Sequence, residues 1–339
     1  MDTDYSMKGK HAHNQVRAAA RLKSILLLGF CFWVLGALAQ REPLYTQYMY
    51  NIGSFNPAYV GSVENTDISL LYRAQWIDLP GAPRTLRFGI NMPVGEQHGL
   101  GFNAVSDQLG PTTQAFVDVS YSFQVNLSED AYLSFGLDAG GSFLNTDFSK
   151  GSFENPGEPI LDQQTVNAFY PTVGAGIFMY QEHWYLGASV PNFLTDALYS
   201  NEVAQIVEDR LQFNFIGGYV FNLSQKLRFK PAFLVNYISG APATVNGSAN
   251  FLWNDVLTLG MAYRFDNAVS TLAGFQVTPS LYLGYAYDYN TNGLGGYNSG
   301  SHEVVLKFYL GRGGFRRPSD SDRDEDKPKG KQIDSPRFF

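Results

Sequence analysis

Three scarcities frame this chain of 339 residues. It has one cysteine, Cys31; charged residues make up only 16% of it; and no run of 18 apolar residues follows position 39. Without cysteine beyond Cys31, disulfides cannot hold the remainder of the chain together. The missing apolar runs exclude membrane-spanning helices, which need about 20 consecutive apolar residues. A formal charge of −7 lacks the basic face of a nucleic-acid binder. What the chain does have is 34 glycines, 26 phenylalanines and 21 tyrosines, a glycine- and aromatic-rich composition unusual for a soluble protein.

The start of the chain reads as a signal peptide over residues 1–39. Lys8, Lys10, Arg17, Arg21 and Lys23 form a positive region, "ILLLGFCFWVLGALA" (25–39) an apolar one, and Ala37-Leu38-Ala39 a small-x-small cleavage site. The apolar run, about 15 residues, is too short to span a bilayer. Phe30 stands where a lipoprotein needs a small residue before Cys31. An exported protein without disulfides must draw its stability from elsewhere, and a closed sheet is one such source.

Beyond the leader, apolar residues recur with period two. In "RTLRFGINM" (84–92), Leu86, Phe88, Ile90 and Met92 share a face and Arg87, Gly89 and Asn91 take the other. "QAFVDVSYSFQVN" (114–126) and "RLQFNFIGGYVFNL" (210–223) alternate in the same way. Segments of about ten residues, apolar on one face and polar or glycine on the other, are the signature of a transmembrane barrel. The fold class is therefore all-β, an up-and-down outer-membrane β-barrel of about fourteen antiparallel strands. The strands fall at 67–75, 84–92, 99–107, 114–126, 131–143, 171–180, 183–190, 210–223, 226–238, 244–253, 256–265, 269–278, 280–290 and 301–310. A soluble sandwich manages with strands of about five or six residues; these are long enough to cross a bilayer at a tilt.

Even-numbered connections are short ("PVGEQH", "NLSED", "QEH", "NLSQK", "ND", "T"). Odd ones include 144–170, 191–209 and "TNGLGGYNSG" (291–300). Short periplasmic turns and longer outer loops characterise bacterial barrels, so both ends of the barrel segment, 67–311, face the periplasm. The two longest loops, 144–170 and 191–209, are the candidate partner-binding surface. Trp184 and Trp253 fall at periplasmic strand ends on the apolar parity, where interfacial aromatics belong. Residues 40–66 carry aromatics without clean alternation and form an N-terminal plug or periplasmic segment. Residues 312–339 mix charge with proline and glycine and read as a disordered periplasmic tail.

One stretch invites an enzymatic reading. "NSGSHEVVL" (298–306) contains His302-Glu303, like the start of a zinc-protease motif, but Leu306 stands where the second histidine belongs. On a strand, His302 and Glu303 point to opposite faces. His98 and His183 lie at the far end, about 30 Å away along a ten-residue strand. No histidine sits mid-strand on the lumenal parity, so no enzyme, metal site or cofactor is expected. Charges on the lumenal parity are Arg87, Asp118, Asp138, Arg228, Lys230, Arg264, Asp288, Glu303 and Lys307. They suit either a selective channel or a lumen filled with salt-bridged side chains.

Several blocks, taken together, resemble one family. They are Gln47, Tyr48, Met49, Asn51, Asn56, Pro57, Ala58, Tyr59, Gly61 and Ser62; then Tyr72, Arg73, Gln75, Trp76, Gly81, Ala82 and Pro83. Gly99, Gly101, Asp107, Gly110, Pro111 and Thr112 follow, and Gly300, Ser301, His302 and Glu303 close the series. This order is similar to the PorP/SprF family of Bacteroidetes outer-membrane proteins, over about residues 43–311. The charged tail after Gly311 is a departure from it. The resemblance implies a non-enzymatic component of type IX secretion, often in gliding motility. Its implied partners are outer-membrane lipids, a secreted adhesin with a type B C-terminal domain, and periplasmic secretion or motility lipoproteins. Asn56-Pro57-Ala58 also looks like the start of fatty-acid-transporter-like barrels, which places 40–66 in or under the lumen. The alternative function is a channel or a transporter of hydrophobic ligands.

Overall fold

The computed structural model describes residues 44–150, 165–194 and 210–310. The leader with Cys31, the tail 312–339 and most of the two longest loops lie outside the described residues.

Fourteen antiparallel strands close into a barrel. They are β1 (Thr66–Ala74), β2 (Arg84–Val94), β3 (His98–Leu109), β4 (Thr112–Asn126), β5 (Tyr132–Asp147), β6 (Thr165–Tyr180) and β7 (Trp184–Val190). Then come β8 in two segments (Gln212–Tyr219 and Phe221–Ser224), β9 (Leu227–Ile238), β10 (Thr244–Trp253), β11 (Leu257–Arg264), β12 (Ala268–Thr278), β13 (Leu281–Asn290) and β14 (Ser301–Leu310). Each strand pairs with its neighbours in the chain. β1 and β14 seal the circle in register from Thr66↔Leu310 to Ala74↔His302. Closure leaves no unpaired sheet edge to template association with other chains.

The alternation works inside out. Along β4, Phe116, Ser120, Ser122 and Gln124 are buried, whereas Val117, Val119, Tyr121 and Phe123 are exposed. In a bilayer those exposed side chains meet hydrocarbon, and every ladder bond is satisfied within the protein. Apolar rings mark both rims. Tyr72, Tyr237, Tyr263 and Tyr289 face outward at one, and Tyr219, Phe221 and Trp253 at the other.

All fourteen expected strands are present, with three differences. β5 and β6 run into the stretch read as a loop over 144–170. They pair as far as Asp147↔Thr165, because Asn145 and Asn167 are register partners joined by a 2.7 Å side-chain bond. β8 breaks at Val220, whose N–H donates to the His183 carbonyl (2.7 Å) in the preceding turn instead of to a strand. Two odd connections are short: Gly110-Pro111 between β3 and β4, and 265–267 between β11 and β12. The long connections still all lie at one end: the end bearing Thr66 and Leu310 has only tight turns and is called the turn end; the other is the loop end.

A further difference concerns the lumen, which the sequence makes polar or glycine-lined. It also holds buried Leu71, Phe178, Tyr180, Tyr185, Leu252 and Tyr282. They form a hydrophobic core with the segment that precedes β1, where every residue from Tyr45 to Val63 except Ser54 is buried. That segment folds as three short 3-10 turns, Tyr48–Tyr50, Ile52–Ser54 and Pro57–Tyr59.

Candidate functional site: the occupied lumen

The seam strands carry the densest set of charges. Arg73 on β1 lies opposite Glu303 on β14. Its guanidinium donates to Glu303 (2.9 Å) and to Asp288 on β13 (2.7 Å), with all three side chains at most 3% exposed. The N-terminal segment completes the cluster. Backbone N–H groups of Thr46 and Gln47 donate to the two Glu303 carboxylate oxygens (2.9 and 2.8 Å). The Thr46 hydroxyl donates to Asp288 (2.7 Å) and accepts from Arg73 (2.9 Å). Buried ions are tolerable only when paired and hydrogen-bonded, and here the backbone of 46–47 supplies bonds that the barrel wall does not.

Several other inward ions are likewise hydrogen-bonded or ion-paired. Arg87 donates to Asn51 Oδ1 (2.7 Å) and to Ser69 (2.9 Å). Lys307 pairs with Asp67 (3.1 Å), which also accepts from Asn91 (2.7 Å). Asp118 accepts from Asn103 (3.0 Å), and Arg264 donates to Asn246 (2.8 Å). Lys230 lies 5.4 Å from the Tyr185 ring centre. Asp138 projects from β5 toward Gly174 of β6, where a Cβ would come within 2.4 Å of it. Arg228 sits apart at the turn end, ion-paired with Asp255 in the β10–β11 turn.

Asn56, Pro57, Ala58 and Tyr59 form the seat of the segment on the wall. Asn56 caps the third turn by accepting from the Ala58 N–H (3.0 Å), while its amide donates to the Ile177 carbonyl of β6 (3.1 Å). Pro57 at the first helical position brings a preset φ and no orphan N–H. The wall is notched with glycine where this turn touches it. A Cβ on Gly136 would fall 2.2 Å from the Ala58 nitrogen, and one on Gly99 2.2 Å from Gly61 Cα. The Tyr59 ring packs edge-on against Phe178 at 5.4 Å. Opposite, Tyr48 bonds Ser248 of β10 (2.9 Å) and Tyr50 packs on Tyr282. Burial pushes the Tyr48, Tyr50 and Tyr59 hydroxyls upward in pKa, so they stay neutral.

The remaining motif residues sit at the loop end. Trp76 donates its backbone N–H to Ser301 Oγ (3.1 Å), joining two motif blocks one step beyond the Arg73–Glu303 pair. Gly110, at φ +55°, occupies the two-residue turn with Pro111 and donates to the Gly81 carbonyl (2.9 Å). His302 turns outward from Glu303 and meets the Tyr285 hydroxyl (2.7 Å), so the two share no site. Trp184 and Trp253 begin β7 and end β10 at the turn end. Among the described residues, no three His, Cys, Asp or Glu side chains group as metal ligands.

Sequence reasoning named Gln47 and Asn51 only as motif residues and did not name Thr46, so the N-terminal partners of the lumenal ions were not read. It also left Arg73 and Asp67 out of the lumenal charges. Parity carries the signal for both, since Asp67, Ser69, Leu71 and Arg73 share the face opposite Leu70 and Tyr72. Large aromatics on the inward parity, such as Phe178, Tyr180 and Tyr185, were a second signal, because an empty aqueous lumen has no place for them.

A closed barrel with an apolar exterior, ion-paired within and enclosing its own N-terminal segment, defines an outer-membrane β-barrel protein. More specifically, the chain belongs to the family described as type IX secretion system membrane protein PorP/SprF, matched over residues 37–308. Among solved structures it is similar to the Ralstonia pickettii toluene transporter TbuX (9% identity, 76% of this chain and 92% of that one, TM-score 0.45). It is also similar to the CymD monoaromatic hydrocarbon channel (12%, 80% and 95%, 0.45) and to a Pseudomonas aeruginosa FadL homologue (12%, 74% and 91%, 0.39). No curated protein matches it.

Proposed function

We propose that this protein binds a secreted adhesin bearing a type B C-terminal domain and helps export it or holds it at the cell surface, as part of the gliding-associated type IX machinery. In this reading residues 44–63 are a plug, and the barrel anchors and docks without conducting. The single observation that supports it is the occupied lumen, in which the Thr46, Gln47, Arg73, Asp288 and Glu303 network binds the segment across the seam. A channel or hydrophobic-ligand transporter requires a continuous path where Tyr48, Tyr50 and Tyr59 lie buried. The β5–β6 and β7–β8 connections, within the stretches 144–170 and 191–209, are the proposed adhesin contacts, and periplasmic lipoproteins of the system the proposed partners at the turn end. The test is affinity purification of the tagged protein from native membranes. One large secreted protein with such a domain should co-purify, and should be lost when 195–209 is deleted from a barrel that still folds. Recovery of the barrel without any such protein would overturn the reading.

A further inference from the structure

At the loop end, Ala74 of β1, Arg84 of β2 and Gln108 of β3 are successive register partners. Their chain neighbours Arg73, Thr85 and Asp107 point into the lumen, where Thr85 donates to Asp107 (2.6 Å). The row therefore faces outward. Beneath it lie lipid-facing Leu70, Tyr72 and Leu86, the last 54% exposed. The β1–β2 loop overhangs the row, enclosing a cavity of about 400 Å³ lined by Gln75, Trp76, Ile77, Leu79 and Pro80 above Arg84.

Arg84 is exposed and, among the described residues, makes no ion pair or side-chain hydrogen bond. The one acid on the overhanging loop, Asp78, is engaged by the Ser299 hydroxyl (2.5 Å). The overhang is preformed. Trp76 (φ +46°) and Asp78 (φ +76°) both hold left-handed conformations that are unfavourable for a non-glycine residue. The surroundings over-determine them: Ile77 exchanges backbone bonds with Ser299 and Gly300, and Gly81 is held by Gly110. The result is a niche at the loop end, with a guanidinium on its floor that has no ion pair among the described residues, and an apolar outward-facing wall below.

We propose that this niche binds the phosphorylated headgroup of an outer-leaflet glycolipid. Arginine forks match phosphate oxygens, and cations at the interface attract anionic lipids. The cavity exceeds what a bare phosphate needs and falls among sites that hold larger ligands. Its amide and indole donors, Gln75, Gln108 and Trp76, suit a hydroxylated sugar, and Leu70, Tyr72 and Leu86 offer the surface along which acyl chains run. The proposal rests on the loop end facing outward.

The test is native mass spectrometry of the purified full-length barrel, titrated separately with bis-phosphorylated lipid A, dephosphorylated lipid A, phosphatidylglycerol and inorganic phosphate. One bis-phosphorylated lipid A should be retained. Retention should fall about tenfold or more in Arg84→Gln and partly recover in Arg84→Lys; Arg84 is a surface residue, so both variants should fold. Equal retention of the dephosphorylated lipid, of phosphatidylglycerol or of free phosphate would overturn the proposal, as would retention unchanged by Arg84→Gln.

Discussion

Arg73 joins three strands and the N-terminal segment through one guanidinium. Arg73→Met leaves Asp288 and Glu303 buried with their Thr46 and Gln47 donors but without the cation they share, a loss expected to cost about 3–5 kcal/mol. The unfolding temperature, read from the heat-dependent shift of the barrel in gel electrophoresis, should drop clearly. Gly136→Val tests the seat. Its Cβ would meet the Ala58 backbone at 2.2 Å, so the segment must move or the wall must bulge, at about 1–3 kcal/mol. Limited proteolysis should then cut within 44–63 in the variant and spare the native protein. His302→Ala serves as the contrast. Its ring faces outward against Tyr285 and Tyr287, so stability should change by about 0.5 kcal/mol or less. The same heat-shift measurement checks it, and a large loss would mean that the rim aromatics help to close the seam.

At the scale of elements, period-two alternation located all fourteen strands because each must hide its polar backbone and show hydrocarbon outside. The pattern faded where that constraint relaxes. Beyond Phe143 and before Pro171, β5 and β6 continue through Asn145 and Asn167, outward polar residues that alternation reads as loop. The break at Val220 leaves parity intact and is set by a bond to the β6–β7 turn, a contact invisible to local pattern. The segment 44–63 has no period to read. Its place is set by long-range partners such as Thr46 with Asp288 and Asn56 with Ile177. Motif residues located it only through resemblance. The glycines at 99 and 136, legible as a lumenal parity, gain their reason only when the segment is seen against them. Residues 44–63 make a separable element, and deleting them should leave a barrel that still inserts, because the strand ladder and the β1–β14 seam do not include them. The deletion should cost stability through Glu303 and Asp288, and the heat-shift assay should show a folded barrel with a lower transition temperature.

The whole molecule combines loops proposed to hold a secreted adhesin with a lumen occupied by the chain's own N-terminal segment. A docking barrel has no use for a permanent opening in the outer membrane. A transporter does, and the two differ in what crosses them. Conductance of the purified protein in planar bilayers measures this directly. The native barrel should show no large, steady open level, and the protein lacking 44–63 should show discrete large steps. A steady conductance in the native protein as large as in the deleted one would contradict the account, because the segment would then leave the lumen open.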